Sequence, residues 1–312
     1  MFEKCKMIPT ANMSRPEWLE ARRKGVGGSD ASAILGLNPW QSAYTTYLSK
    51  IGQIPDKEDT EAMRQGRDLE DYVARRFMEE TGKKVQKCNY MIWNPDYPFA
   101  LANIDRRVVG ENAGLECKTT SSLDLKQFRG VEFPEKYYVQ CVHYMAITGA
   151  ERWYLAVLVF GRGFYTYTLE RDEAEIAPLM DAESKFWSLV ERRIPPEVDG
   201  NEATLEALRG QYAKTDPLHP VDLTGCAADL ATLEACKKQI EALEEKQRAA
   251  TARIMKTLGS AERGEYGSFS VSWKPQTRTT FDRKKWEARN GKIPEEYMKT
   301  SESRVFRFKK EQ

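Results

Sequence analysis

Leu115-Glu116-Cys117-Lys118 places a carboxylate and an ammonium group two residues apart, and Asp105 stands a short way upstream, closing the apolar stretch Phe99-Ala100-Leu101-Ala102-Asn103-Ile104. Between them run Arg106-Arg107-Val108-Val109-Gly110 and the turn-prone Glu111-Asn112-Ala113-Gly114. The pattern predicts two neighbouring strands joined by a hairpin. Residues i and i+2 of a strand share a face, so Glu116 and Lys118 project together and Asp105 can reach them from the adjoining strand. Two hard oxygen donors beside an amine suit metal-assisted phosphodiester hydrolysis, with the carboxylates holding Mg²⁺ and the lysine handling the attacking water. On the triplet alone the plainer reading is a solvated ion pair, because acid-x-Lys recurs at Asp124-Leu125-Lys126, Glu244-Glu245-Lys246 and Asp282-Arg283-Lys284. None of those follows a hairpin signal with an acid on the partner strand.

Three further segments must position this group. In Gly66-Arg67-Asp68-Leu69-Glu70, continuing to Phe77, residues Leu69, Val73 and Phe77 fall on one helical face and Glu70 lies beside that stripe. The apolar helix around Tyr137-Tyr138-Val139-Gln140 carries one candidate buried amide, Gln140. Arg22-Arg23-Lys24-Gly25-Val26-Gly27-Gly28-Ser29-Asp30 runs from a basic helix end through a Gly-rich turn into a helix for which Ser29 or Asp30 is the expected N-cap. Free N–H groups and arginines at such a place can cradle a phosphate. A plain capped helix after a tight turn would account for the glycines equally.

Taken in order, Arg-Arg-Lys-Gly-Val-Gly-Gly-Ser-Asp, Gly-Arg-x-Leu-Glu, Asp, Glu-x-Lys and Tyr-x-x-Gln resemble the lambda exonuclease, or YqaJ-like, family of the PD-(D/E)XK nuclease superfamily, over roughly residues 14 to 195. The resemblance implies an alkaline exonuclease that digests one strand of duplex DNA from its 5′ end in phage-type recombination. It also implies a toroidal homotrimer and a single-strand annealing protein as partner. By position, Asp105 and Glu116 resemble the principal metal ligands, aided by the carbonyl of Cys117, and Glu70 resembles the glutamate serving a second metal. Lys118 resembles the catalytic lysine. Gln140 and Tyr137 resemble the pair that steadies the lysine and the scissile phosphate. Arg23 and Ser29 resemble the 5′-phosphate pocket, with adjacent Arg22 as the other candidate. The implied cofactor is two Mg²⁺ ions about 3.5–4 Å apart, with Mn²⁺ able to substitute. The chain departs from the pattern in two places: Val142 stands where several relatives carry a second Gln, and Arg106 where many carry Gly.

Composition bounds the rest. A length of 312 residues is enough for one large domain or a core domain plus an appendage, and 41% hydrophobic content supports a packed core. No apolar run is long enough to cross a membrane, and no secretory leader is apparent. Six scattered cysteines without CxxC spacing argue against zinc ribbons and iron–sulphur clusters. They fit a reducing cytoplasm, and the resemblance implies a gene carried by a phage or prophage of a bacterial host. Only His143 and His219 are present, so His-based zinc chemistry is excluded, and His143 reads as a helix residue near the core. Net charge is only +1, but from Lys274 onward 12 Lys/Arg face 6 Asp/Glu, a local excess of about +6.

The predicted fold is α/β: a restriction-endonuclease-like core with a mixed central sheet flanked by helices, and a helical and small β C-terminal appendage. The expected division is 1–200 for the nuclease core and 201–312 for the appendage. Strands are expected over 85–92, 153–159, 164–169, 268–273 and 305–308, and a charged helix or loop over 121–132. One strong helix spans about 222–258, either half of a coiled coil or, preferably, packed on the core or on 202–212. Two alternatives remain: an endonuclease of the same superfamily, or a non-catalytic DNA-binding or partner-scaffold protein.

Overall fold

The computed structural model describes residues 1–55, 59–121, 133–215, 219–299 and 306–308. The chain divides into two compact units, Met1–Gln211 and Tyr212–Gln312.

In the first unit the order is β1 (Lys6–Pro9), α1 (Arg15–Arg22), β2 (Val26–Gly27), α2 (Gly28–Ile34), α3 (Ala43–Lys50), α4 (Glu61–Thr81), β3 (Val85–Lys87), β4 (Tyr90–Trp93), β5 (Ala100–Ala102), β6 (Arg106–Val108) and β7 (Ala113–Thr120). It continues with α5 (Glu135–Thr148), β8 (Arg152–Val159), β9 (Gly163–Glu170), α6 (Glu173–Glu191) and α7 (Glu202–Gln211). Strands β3-β6-β7-β8-β9 form a five-stranded sheet and β1-β4-β5-β2 a four-stranded one. Both are mixed: β7 runs parallel to β8 and β2 to β5, and the other pairs are antiparallel. The mixed sheets flanked by helices are the predicted restriction-endonuclease-like architecture.

The single strand expected over 85–92 is two strands, β3 and β4, in different sheets. The chain changes sheet at Cys88, whose N–H donates to the carbonyl of Asp105. A break between two strands as short as Val85-Gln86-Lys87 and Tyr90-Met91-Ile92-Trp93 leaves no mark in the pattern of alternation.

The β6–β7 hairpin forms as predicted, with Arg106 opposite Leu115. Its turn uses Gly110 at φ +84°, a conformation that costs glycine little. The two faces of β7 bury different things. Ala113 and Leu115 pack with Val73, Ala74 and Phe77 of α4, and the Phe77 and Tyr154 rings lie 5.3 Å apart. Thr60 caps α4 by accepting from the Met63 N–H, and Gly82 at φ +70° ends it. The opposite face of β7 carries Gly114, Glu116 and Lys118 in succession. Here Gly114 is required by packing: a Cβ would stand 2.3 Å from the ring of Trp153, which is fully buried. Gly114→Ala is therefore expected to destabilise the first unit by about 1–3 kcal/mol through overpacking, read as a lowered denaturation midpoint.

Helix α5 is apolar nearly all round and is buried from Val139 through Thr148, so it is an interior helix rather than an amphipathic one. It lies in the core with Ala100 and Ala102 of β5, Trp153 of β8, and Ile176, Leu179 and Met180 of α6. Helix α7 sets Ala207 and Leu208 against the cluster of Tyr44, Tyr47 and Leu48 from α3, and buries Thr204. Its apolar side is thus used within the first unit.

In the second unit, α8 (Ala227–Leu258) is the long helix read from the sequence, and none of its residues is buried. The hairpin β10 (Arg263–Tyr266) and β11 (Phe269–Ser272) follows, then α9 (Arg283–Asn290). The segment expected over 121–132 lies, beyond Ser121, outside the described residues, as does Val305. Residues 306–308 form no strand. Among the described residues no helix is long and apolar enough to cross a membrane.

Candidate active site

Asp105, Glu116 and Lys118 meet as their strand positions require. The carboxylate of Asp105, at the entry to β6, accepts from the N–H of Cys117 at 2.8 Å. Glu116, 3% exposed, accepts from Lys118 Nζ at 2.6 Å. It also accepts from Gln140 Nε2 at 2.8 Å, through the same oxygen, Oε1. The other oxygen, Oε2, is buried without a hydrogen-bond partner. Gln140 is itself anchored on the hydroxyl of Tyr144, one turn along α5. Gly28 makes this approach possible, since a Cβ there would stand 2.6 Å from the Tyr144 ring and 3.1 Å from Gln140.

The charges are poised for a cation. Burial first, then the carboxylates of Glu116 and Glu70, push Asp105 well above the usual carboxylate range. Burial also raises Glu116, against the opposing pull of Lys118. Burial alone would depress Lys118, but Glu116 and Asp105 override it and hold the ammonium protonated above its ordinary value. An oxygen of Glu116 left buried and unbonded, beside a carboxyl in an unfavourable setting, is what a divalent cation would relieve. The residues present therefore fit a metal, with Asp105 and Glu116 as its side-chain ligands. Among the described residues no three His, Cys, Asp or Glu side chains already converge as a cage. Glu70 lines the same cleft, but its Oε1 is taken by Arg106 Nη1 at 2.5 Å.

The cleft holds about 960 Å³ and runs from this group to α1 and α2, where Trp18, Arg22, Arg23 and Ser29 line it. Of the two candidate arginines, it is Arg22 that donates to the Ser29 hydroxyl, at 2.8 Å. It also lies over the Trp18 ring, 4.9 Å from its centroid. Arg23 pairs instead with Glu20 at 3.1 Å. The cause is helical phase: α1 ends at Arg22, and one further residue turns the side chain off the Ser29 side.

Ser29 and Asp30 do not cap α2. Gly27 is the N-cap, and Asp30, at N3, accepts from the Gly27 N–H at 2.9 Å. Asp30 is buried and paired with Lys50 Nζ at 2.7 Å. Burial would raise it, yet Lys50 and Arg22 bring it down to about 2. A buried anion thus underlies Arg22 and Lys50, both of which face the cleft.

Tyr137 stands at the lysine, with its ring centroid 5.4 Å from Lys118 Nζ. Gln140 holds Glu116 rather than the lysine itself. Cys117 contributes its N–H to Asp105, while burial and the neighbouring carboxylates raise its thiol well above the ordinary value. Sequence reasoning missed Tyr144, Lys50 and the acid Asp30 as an anchor. Only the spacing of Gln140 and Tyr144, i and i+4 on one helix, was a signal for any of them.

A family model described as the YqaJ-like viral recombinase domain matches residues 17–151, which contain the whole constellation up to Tyr144. The YqaJ protein of Bacillus subtilis (strain 168) is 39% identical over 306 residues, covering 96% of this chain and 95% of the relative. The chain belongs to the YqaJ-like viral recombinase family. Among solved structures, LHK-Exo in complex with dAMP aligns with a TM-score of 0.50 at 20% identity, over 64% of this chain and 98% of that one. A second crystal structure of LHK-Exo, an alkaline exonuclease from Laribacter hongkongensis, aligns at 0.49 with the same identity and coverage. At that identity the first of these carries the fold, and the YqaJ-like core accordingly has the architecture of an exonuclease structure.

Proposed function

We propose that this YqaJ-like protein is a Mg²⁺-dependent deoxyribonuclease that digests one strand of duplex DNA from a 5′ end, in phage-type recombination. The observation that carries the reading is the convergence of Asp105, Glu116 and Lys118 in one cleft with the Arg22–Ser29 pair. Family membership and the fold shared with an exonuclease support it. When bound, a divalent cation supplies an acidified water and charge stabilisation at the scissile phosphate. Asp105 and Glu116 hold it, with the Cys117 carbonyl as a third donor. Gln140 fixes which oxygen of Glu116 is free, by occupying the other. Lys118, beside Glu116, would orient the attacking water and accept its proton when its own Nζ is unprotonated. Arg22 and Ser29 grip the 5′-terminal phosphate through a charge-assisted contact, which sets the polarity of digestion. The single-strand annealing partner and the trimeric assembly belong to the same proposal.

Linear duplex with a 5′-phosphate at one end and a 5′-hydroxyl at the other, incubated with Mg²⁺ beside covalently closed plasmid, tests it. The expected result is loss of one strand from the phosphorylated end and an intact plasmid. Arg22→Ala should erase the preference for the phosphorylated end, while Arg23→Ala should retain it. Nicking of the closed plasmid would select the endonuclease reading. Duplex binding without any Mg²⁺-dependent product would select the non-catalytic one.

A further inference from the structure

Arg106, the first residue of β6, lies outside the reaction scheme and is tied to the acids behind the site. It is 3% exposed and does not line the cleft. Its guanidinium donates to Glu70 Oε1 at 2.5 Å, to the carboxylate of Asp71, and to the carbonyl of Asp105 at 2.7 Å. Asp71 is largely exposed, with its side chain 79% accessible, so Glu70 is the partner inside the protein. Lys87, opposite Arg106 on β3, adds a second cation 4.0 Å from the same oxygen of Glu70. A buried guanidinium cannot lose its proton, and leaving it unpaired is costly, so the pair with Glu70 persists when the cleft fills.

We propose that Arg106 is a positioning residue that neutralises Glu70 from behind the cleft wall. The free protein then takes one divalent cation tightly, at Asp105 and Glu116, and a second one, on the Glu70 side, only weakly. This rests on the nuclease reading above and deepens it. Glu70 offers the cleft only the oxygen that Arg106 leaves, and its charge is offset by the arginine. A unit charge paired with a ligand of a divalent ion acts directly on that ion's binding, so removing it should change affinity at least about tenfold.

Mn²⁺ titration of the full-length protein without DNA, with free Mn²⁺ read by electron paramagnetic resonance, tests the proposal. The wild type should bind one tight ion per chain. Arg106→Gln should gain a second, bound at least about tenfold more tightly than the wild type's weak one, and Arg106→Lys should restore the single-ion pattern. Should Arg106→Gln fail to fold, judged by circular dichroism, Glu70→Gln decides. The tight ion should then stay within about threefold of wild type, and a loss of tenfold or more would place Glu70 in the tight site and overturn the proposal. Two equally tight ions in the wild type, or an Arg106→Gln variant indistinguishable from it, overturn it while leaving the nuclease reading intact. No bound Mn²⁺ in any variant overturns both.

Discussion

Lys118→Ala is expected to slow Mg²⁺-dependent DNA digestion by about 10²–10⁴-fold, the usual worth of a positioned general base, while Mn²⁺ binding is retained or tightened. The two halves of this expectation have the same origin. Lys118 Nζ lies 2.6 Å from Glu116 Oε1, and its charge partly satisfies a carboxylate that burial makes costly. Removing the ammonium increases the local negative charge that a divalent cation would meet, so the metal should bind at least as well. What disappears is the group that the proposed mechanism assigns to orienting and deprotonating the water. A variant that loses Mn²⁺ affinity along with activity would show Lys118 to be a structural prop. The pH dependence of the wild type follows from the same contacts. Glu116 and Asp105 hold Lys118 protonated above its ordinary value, so the fraction able to accept a proton grows as the pH rises. Activity at saturating metal should therefore climb from neutral into the alkaline range, and a steady fall there would remove Lys118 as the base.

Glu183→Ala is expected to destabilise the first unit by about 3–5 kcal/mol, because it leaves a buried imidazolium without its counter-charge. His143 and Glu183 are both 0% exposed. His143 Nδ1 lies 2.8 and 3.0 Å from the two oxygens of Glu183, and Nε2 lies 2.9 Å from the carbonyl of Leu101. Each ring nitrogen thus faces an acceptor. Burial would lower the His143 pKa and raise that of Glu183, but the carboxylate and the Leu101 carbonyl raise His143 above its usual value. Two acceptors bracketing one ring favour the charged imidazolium. A raised histidine contributes stability that is full below its unfolded pKa of about 6.5 and is lost as the pH rises through the folded value. Asp30, also buried, raises both His143 and Glu183, and although His143 and Lys50 pull Glu183 down, burial leaves it above its ordinary value. Wild-type protein should lose melting temperature on the alkaline side, and Glu183→Ala should flatten that slope while lowering the whole curve. An unchanged slope would mean that the pair is neutral. The pair joins α5 to α6 and, through Leu101, to β5, so its loss loosens the helix that carries Gln140.

The hairpin around Asp105 and Glu116 was legible because strand alternation is strict. Once two strands pair, Glu116 and Lys118 must share a face, and only the second acid on the partner strand separates this triplet from the other acid-x-Lys matches. Glu70 was legible as a helix residue beside an apolar stripe, and its place in the cleft followed. The glycines of Gly25-Val26-Gly27-Gly28 were visible, but their reason was not: Gly28 is there for Tyr144 and Gln140, which lie more than a hundred positions away. Arg22 and Arg23 could not be told apart, since that choice depends on where α1 ends to within one residue. The split of 85–92 into two strands was hidden because both halves are short and extended, and sheet membership is set by partners remote in the chain.

By itself the sequence determined the chemistry this protein can attempt: the acids, the lysine, their alternation, and the helices that bring Glu70 and Gln140 near. Tertiary structure alone decided which groups are already committed to one another. Arg106 holds Glu70, Gln140 holds one oxygen of Glu116, and Arg22 rather than Arg23 meets Ser29. Periodicity governs the direction of a side chain from its own backbone, whereas pairing depends on distances between elements, and those are set only when the sheets and helices pack.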